Sequence, residues 1–356
     1  MSTIIEKIAE QKVCLIAEIG VNYYDIAVKE NISVIDAAKL MISEAKKAGI
    51  HAVKFQTYKA DKLAAKESPA YWDLNEESTT SQRELFMKFD ALGYEEYKVL
   101  KAYSDEVGIE FMSTPFDFEA ADYLDELMDV YKISSSDLSN LPFIEYQAKK
   151  NKPILLSVGA SNEDEIEKAV IAVRKWNKKP LVLLHCVLEY PTPYEHANLG
   201  KIKKLKEKYP DLVIGYSDHT KPDPGYDVIK TAVVLGAKVI EKHFTLDKTL
   251  KGNDHYHAMD TTDAKEILSM IDKVEMLIGS AGLECLESEN KARLNARRSI
   301  VSQRFIKAGE TISEDMLTFK RPGCGISPTE IDSILGKEAL IDIEEDTILT
   351  KSMIGE

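Results

Sequence analysis

His219 and His243 end two successive apolar runs, LVIGYSDH (212–219) and VIEKHFT (239–245). Imidazoles at the ends of neighbouring strands can converge on one divalent cation. Glu18, in the run VCLIAEIG (13–20), adds an oxygen donor, and such a mixed N/O set suits manganese, iron or zinc. Lys54 and Lys132 stand inside otherwise apolar runs, where an ammonium without an anion is costly. They point to an anionic ligand. Thr114, Ser135, Ser157 and Ser217 occupy corresponding places in other runs, so lysines and hydroxyls together describe a pocket for a small phosphorylated or carboxylated substrate. The competing readings are satisfied core histidines, buried Lys–Glu pairs, and a Schiff-base lysine at Lys132 or Lys242. His185, followed by Cys186, Val187 and Leu188, reads equally well as a packing residue, and His255 and His257 read as loop residues.

These residues need a scaffold that gathers strand ends. Eight short apolar runs, rich in β-branched residues, recur along the chain: 13–20, 52–58, 110–116, 130–136, 153–159, 181–187, 212–219 and 239–245. Longer amphipathic stretches separate them, such as VIDAAKLMISEAKKAG and DEIEKAVIAVRKW, with apolar residues three or four apart. Eight βα alternations predict an α/β fold, a TIM (β/α)8 barrel, whose site lies at the C-terminal ends of the strands. A doubly wound open sheet uses the same local pattern, but no GxGxxG turn follows the first run. Strand side chains alternate faces, so Lys54 with Gln56, Ser217 with His219, and Glu241 with His243 should each point the same way.

The charged stretch 284–295 reads as a linker between a barrel domain, 1–283, and a small β-rich domain, 296–356. In the latter, SIVSQRFI and EALIDIEEDTIL read as strands. Ser327 at N-cap, Pro328 at N1, Glu330 at N3 and Gly336 past the end predict one short helix with a capping box. At about 60 residues this domain would be marginal alone and should dock on a barrel.

Composition narrows the function classes. The 356 residues are 44% apolar and 30% charged, which excludes disorder as the main state. The net charge is −14, without a Lys/Arg run able to track a phosphate backbone, so nucleic acid is not an expected partner. Cys14, Cys186, Cys285 and Cys324 lie far apart with no CxxC pair, consistent with a reducing cytoplasm. No apolar run is long enough to span a membrane and the N-terminus has no signal-peptide pattern.

AEIG (17–20), KFQTYKA (54–60), STPFD (113–117), KISSSD (132–137), LLHC with YPTP (183–186, 190–193), GYSDHT (215–220), EKHFTLDK (241–248) and ARRSI with KRPG (296–300, 320–323) resemble, in order and over nearly the whole chain, the sialic acid synthases. That family includes N-acetylneuraminate and legionaminate synthases with a C-terminal SAF (antifreeze-like) domain. The resemblance implies condensation of phosphoenolpyruvate with N-acetylmannosamine or a related 2-acetamido sugar. It implies that His219 and His243 hold a divalent metal, manganese with magnesium or cobalt as alternatives. It places Lys54, Thr114, Lys132, Ser135, Ser157 and Ser217 on phosphoenolpyruvate, and Glu18, Gln56, Tyr190, Glu241 and Asp254 around the acceptor sugar and metal. Arg321 would enter the other subunit's active site and meet the N-acyl group, so a domain-swapped homodimer is implied. Glu18, Asp137 and Glu241 are the catalytic carboxylates, with Glu18 and Asp137 the alternatives for managing a proton of the attacking water. The chain departs from the family pattern at VNYYDIAVKENIS after AEIG, at Leu188 where an Asn is frequent, and at Asp137 where Glu is common. A free acceptor sugar is expected, with a 2,4-diacetamido-trideoxy sugar as the alternative and a Schiff-base sugar-acid lyase as the rival chemistry.

Overall fold

The computed structural model describes residues 2–72, 74–75, 77–252, 254–280 and 282–355. Each of the eight apolar runs contains a strand: β1 Cys14–Gly20, β2 Ala52–Thr57, β3 Glu110–Pro115, β4 Tyr131–Ile133, β5 Ile154–Ser157, β6 Leu181–Cys186, β7 Val213–Asp218 and β8 Val239–His243. They pair in parallel in the order β3-β2-β1-β8-β7-β6-β5-β4, and β3 lies against β4, closing the barrel. The fourth run is shorter than expected. Ser134 turns the chain into a 3-10 segment, Ser135–Asp137, whose Ser136 N–H its side chain caps.

The alternation of side chains divides each strand cleanly. Leu15, Val53, Phe111, Tyr131, Leu156, Leu183, Tyr216 and Ile240 face outward and join the buried helix layer. Cys14, Ile16, Ala52, Met112, Val130, Leu155, Val182, Leu184 and Val239 fill the interior. Two residues further along the same inward faces, the side chains turn polar: Glu18, Lys54, Thr114, Lys132, Ser157 and Glu241. The barrel is therefore dry below and polar at its mouth. Helix Thr3–Ala9 adds Ile4 and Ile8 to the interior cluster, and Glu110 anchors it by accepting from Ser2 Oγ (2.6 Å) and Ile4 N–H (2.9 Å).

The outer helices follow their punctuation. Ser33 caps Val34–Lys47, and Asn162 with Glu165 forms a capping box on Glu163–Trp176. The segment after AEIG forms an added helix, Tyr23–Glu30.

The chain divides into two compact units, Met1–Gly279 and Ser280–Glu356. Within the second, helix Asn290–Ala296 lies in the stretch read as a linker. Strand β9, Ser299–Ser302, pairs antiparallel with β10, Leu317–Lys320, around a core that includes Ile300, Ile306, Leu317, Ile326 and Leu349. Two expectations for this unit fail. EALIDIEEDTIL makes only isolated bridges among the described residues, Thr311 to Glu338, Ile306 to Ile343, Val301 to Ile348 and Ala339 to Ile354, and Asp346 within it adopts a left-handed backbone that interrupts a continuous ladder. The segment Pro328–Ser333 is a 3-10 helix without a capping box. Ser327 Oγ accepts from Thr329 N–H, and Glu330 pairs instead with Lys351 at 2.7 Å.

Candidate active site

The polar mouth holds a small pocket of about 50 Å3. It brings together Glu18, Lys54, Gln56, Thr114, Lys132, Ser135, Ser157, Tyr190, Ser217, His219, Glu241 and His243, with Phe116, Ser134, Cys186 and Leu188 completing the wall. Register explains the meeting: Glu18 lies beside Lys54 on β2 and His243 on β8, and Ser217 lies beside Glu241. Gly20 follows a register shift in β1 with φ of +55°. A Cβ there would come within 3.2 Å of Gln56 Nε2 and 3.3 Å of Glu18 Oε1, so the glycine leaves room for the Gln56–Glu18 hydrogen bond (2.8 Å).

Two lysines and two carboxylates interlock at the floor. Lys54 meets Glu18, donates to Thr114 Oγ1 (3.1 Å) and lies 3.9 Å from Glu241. Lys132 lies 3.5 Å from Glu241 Oε1, which also accepts from Ser217 (2.9 Å). The carboxylates are driven apart. Burial, only partly opposed by Lys54 and reinforced by Glu241, pushes Glu18 up to about 7. Burial acts on Glu241 too, but Lys132, Lys54 and the Ser217 hydroxyl outweigh it and hold the group below the usual range. For Lys54 burial is outweighed by Glu18 and Glu241, and its pKa is raised; for Lys132 burial wins and its pKa is lowered. Ser157 Oγ and Glu241 Oε2 are buried without a hydrogen-bond partner among the described residues. Ser135 Oγ accepts from Gly159 N–H (2.8 Å).

Above this floor lies a second pocket of about 350 Å3, which shares Gln56, Tyr190 and His243 with the first. Its wall includes Tyr58, Tyr71, Leu85, Phe86 and Phe89, the acids Asp25, Glu77 and Asp254, and Lys88 and Lys251. Asp25 comes from the added helix. Asp254 thus lies at the outer pocket, whereas Asp137 is outside both linings. Burial pushes Asp137 up to about 6, and it sits beside Asn140. It ends the 3-10 segment Ser135–Asp137, beyond the run that forms β4. Arg321 belongs to the second unit, where it is exposed.

The imidazoles suit a divalent cation. His219 Nδ1 bonds Val187 O (2.7 Å), which leaves Nε2 free of its proton to act as a ligand. Burial keeps His219 and His243 neutral, lowering the first to about 4 and holding the second well below the ordinary imidazole value, with the neighbouring His257 and His219 rings adding to the effect. His243 Nδ1 is buried without a hydrogen-bond partner among the described residues, 3.5 Å from Asp254 Oδ2. Donor atoms of His243, Asp254 and His257 all lie within 4.8 Å of one another. His257 was read from sequence as a loop residue. The signal available was only its spacing, three residues after Asp254 in GNDHYHAMD, and nothing local brings that loop to β8.

Other candidates separate from the site. His185 faces outward, bonded to Ala197 O (2.8 Å) and stacked on Tyr216. Lys242 also faces outward, paired with Asp218 (2.5 Å) and Thr220 O (2.7 Å), which removes it as a Schiff-base nucleophile. All four cysteines are free. Among the described residues, no helix is long and apolar enough to cross a membrane.

Comparison with known proteins accounts for this arrangement. Residues 41–282 match the model of the NeuB family, and 297–355 that of the SAF domain. The chain belongs to the NeuB family. This NeuB-family chain is 37% identical over 344 residues to the N,N'-diacetyllegionaminic acid synthase of Campylobacter jejuni, covering 95% of this chain and 99% of that one. It is 34% identical over 346 residues to the N-acetylneuraminate-9-phosphate synthase of Mus musculus, covering 95% and 92%. The crystal structure of N-acetylneuraminic acid synthetase from Leptospira borgpetersenii, in complex with citrate, matches with a TM-score of 0.69 at 33% identity, covering 79% and 90%.

Proposed function

We propose that this protein condenses phosphoenolpyruvate with free N-acetylmannosamine, forming a nine-carbon sialic acid and releasing phosphate. The observation that carries this reading is a pair of joined pockets, one floored by two lysines and hydroxyls, the other opening above it, with His243 at their junction. Lys54 and Lys132 would meet the phosphate and carboxylate of phosphoenolpyruvate, with the unpartnered Ser157 hydroxyl donating to the same oxygens. A divalent cation held by His219 and His243, manganese on the family's pattern, would supply Lewis-acid polarisation of the open-chain aldehyde. Gln56 and Tyr190, lining both pockets, would hold that aldehyde over C3 of phosphoenolpyruvate. C3 bonds to the aldehyde carbon, water adds at C2, and phosphate leaves from the resulting tetrahedral centre. Glu18, half-ionised near neutrality beside an ionised Glu241, is suited to take the water's proton.

Asp25, Glu77 and Asp254 outnumber Lys88 and Lys251 in the outer wall, and Lys88 is already paired with Glu77 (3.1 Å), which favours an unphosphorylated acceptor. A second reading has its own support: Tyr58, Tyr71, Leu85, Phe86 and Phe89 form an apolar face suited to a 6-deoxy carbon and a second acetamido methyl, as in 2,4-diacetamido-2,4,6-trideoxymannose. Phosphate release from phosphoenolpyruvate decides, measured with each sugar, with N-acetylmannosamine 6-phosphate and with no sugar. Release dependent on N-acetylmannosamine is expected; preference for the 6-phosphate, or no sugar dependence, overturns the proposal. Arg321 is assigned to the acyl group across a domain-swapped homodimer. Arg321→Ala should raise the KM for the sugar far more than that for phosphoenolpyruvate.

A further inference from the structure

His257 is fully buried, and among the described residues neither of its ring nitrogens has a hydrogen-bond partner. Leaving such a buried group unmet is destabilising, so its placement needs a reason. The same loop satisfies its other buried histidine completely: His255 Nδ1 meets Thr245 Oγ1 (2.7 Å) and Nε2 meets Asp25 (3.1 Å). Backbone bonds then stitch the loop to the end of β8, Met259 N–H to His243 O (2.8 Å) and Thr245 N–H to Met259 O (3.0 Å). That stitching lays the His257 ring 4.9 Å from the His243 ring and 6.3 Å from the His219 ring. The His219 and His243 rings are 5.4 Å apart. With metal–nitrogen bonds near 2.1 Å, two imidazoles on one ion have ring centres at most about 6.5 Å apart, and all three separations fall inside that limit. Asp254 Oδ1 lies 4.0 Å from His257 Nε2.

We infer that His257 is a third imidazole ligand, joining His219, His243 and the Asp254 carboxylate on one divalent cation, and that this set directs the site toward cobalt, zinc, iron or nickel and away from magnesium. The inference rests on the reading that the site holds a metal. Imidazole nitrogen favours the borderline ions, whereas magnesium favours carboxylate and water oxygen and keeps much of its hydration. Two histidines alone would leave most positions to oxygen; a third shifts the balance to nitrogen.

The test uses the full chain, stripped of metal and without substrates. Pulsed EPR on the manganese-loaded, 15N-histidine-labelled protein should count three coordinated imidazole nitrogens in the wild type and two in His257→Ala. Calorimetric titration with Co2+ should show affinity at least about tenfold weaker in His257→Ala, since even an outer-shell contact is worth that much. His255→Ala should leave the nitrogen count at three. Two nitrogens in the wild type, or an unchanged cobalt affinity in a His257→Ala protein with the wild-type circular dichroism spectrum, overturns the inference. If His257→Ala does not fold, the wild-type nitrogen count decides alone. Three nitrogens without phosphate release would uphold this inference and overturn the proposed reaction; two nitrogens with release would do the reverse.

Discussion

Asp218 and Lys242 form an ion pair on the outer face of β7 and β8, while one residue away on the inner face Ser217 and Glu241 join Lys54, Lys132 and Glu18. Both clusters are buried, and they are built to different ends. In the outer pair, Asp218 Oδ2 takes Lys242, and Oδ1 takes Tyr216 OH (3.0 Å), Thr220 N–H (3.0 Å) and Thr220 Oγ1 (2.8 Å). In the inner cluster Glu241 Oε2, Ser157 Oγ and His243 Nδ1 have no hydrogen-bond partner among the described residues. A closed network holds a helix layer against a barrel; an open one keeps bonding capacity for a ligand. The same residue types, lysine and carboxylate, thus serve structure on one face and chemistry on the other.

That contrast breaks most visibly at the inner imidazoles. His243→Ala should retain the fold yet lose phosphoenolpyruvate-dependent phosphate release by at least about a thousandfold, the scale of a lost Lewis acid. Full activity in that variant would remove the metal from the reaction. Next in size is the outer pair. Lys242→Met strands a buried Asp218 and should cost about 3–5 kcal/mol of stability in urea unfolding, while leaving the KM for phosphoenolpyruvate unchanged in whatever folds. Lys132→Met should do the opposite, raising that KM at least about a hundredfold while shifting stability by about 1 kcal/mol or less, because Glu241 keeps Lys54. Equal stability losses in the two variants would erase the distinction between the faces.

Glu18 sharpens the comparison through pH. Its native pKa of about 7 lies above the ordinary 4.5, so between those values the metal-free native state holds a proton that the unfolded chain has released. Stability from this group is fully present below about pH 4.5 and is lost as pH rises toward 7. The loss is on the order of 3 kcal/mol. Glu18→Gln should remove that slope from the urea midpoints measured across the range; an unchanged slope would place the raised proton affinity elsewhere. The smallest effect belongs to the outer face again. His185→Phe keeps the stack on Tyr216 but strands Ala197 O, and about 1 kcal/mol should be lost with phosphate release unaltered.

Much of this site could be read from spacing. Lys54 with Gln56, Ser217 with His219, and Glu241 with His243 do share one wall, because a strand's period of two is a local property. The same parity explains why Lys242 and His185 face outward, although their chemistry invited an inward reading. Asp137 escaped the rule because β4 ends early and a 3-10 turn has no period of two. In the second unit SIVS makes its continuous ladder with LTFK and only an isolated bridge, Val301 to Ile348, with the longer stretch near the end of the chain, a choice made by pairing between distant segments.

Alternation and the eightfold βα repeat were determined by the sequence itself, since apolar period and chain direction are enough to specify a barrel, its dry interior and its polar mouth. Which histidine lies beside His243 was decided only in three dimensions. His255 and His257 are two residues apart in one loop, and nothing local distinguishes them. Backbone bonds from Met259 to the end of β8 set the first against Asp25 and the second beside the His243 and His219 rings. A loop has no period to read, and its side chains take the neighbours that long-range hydrogen bonding brings to them.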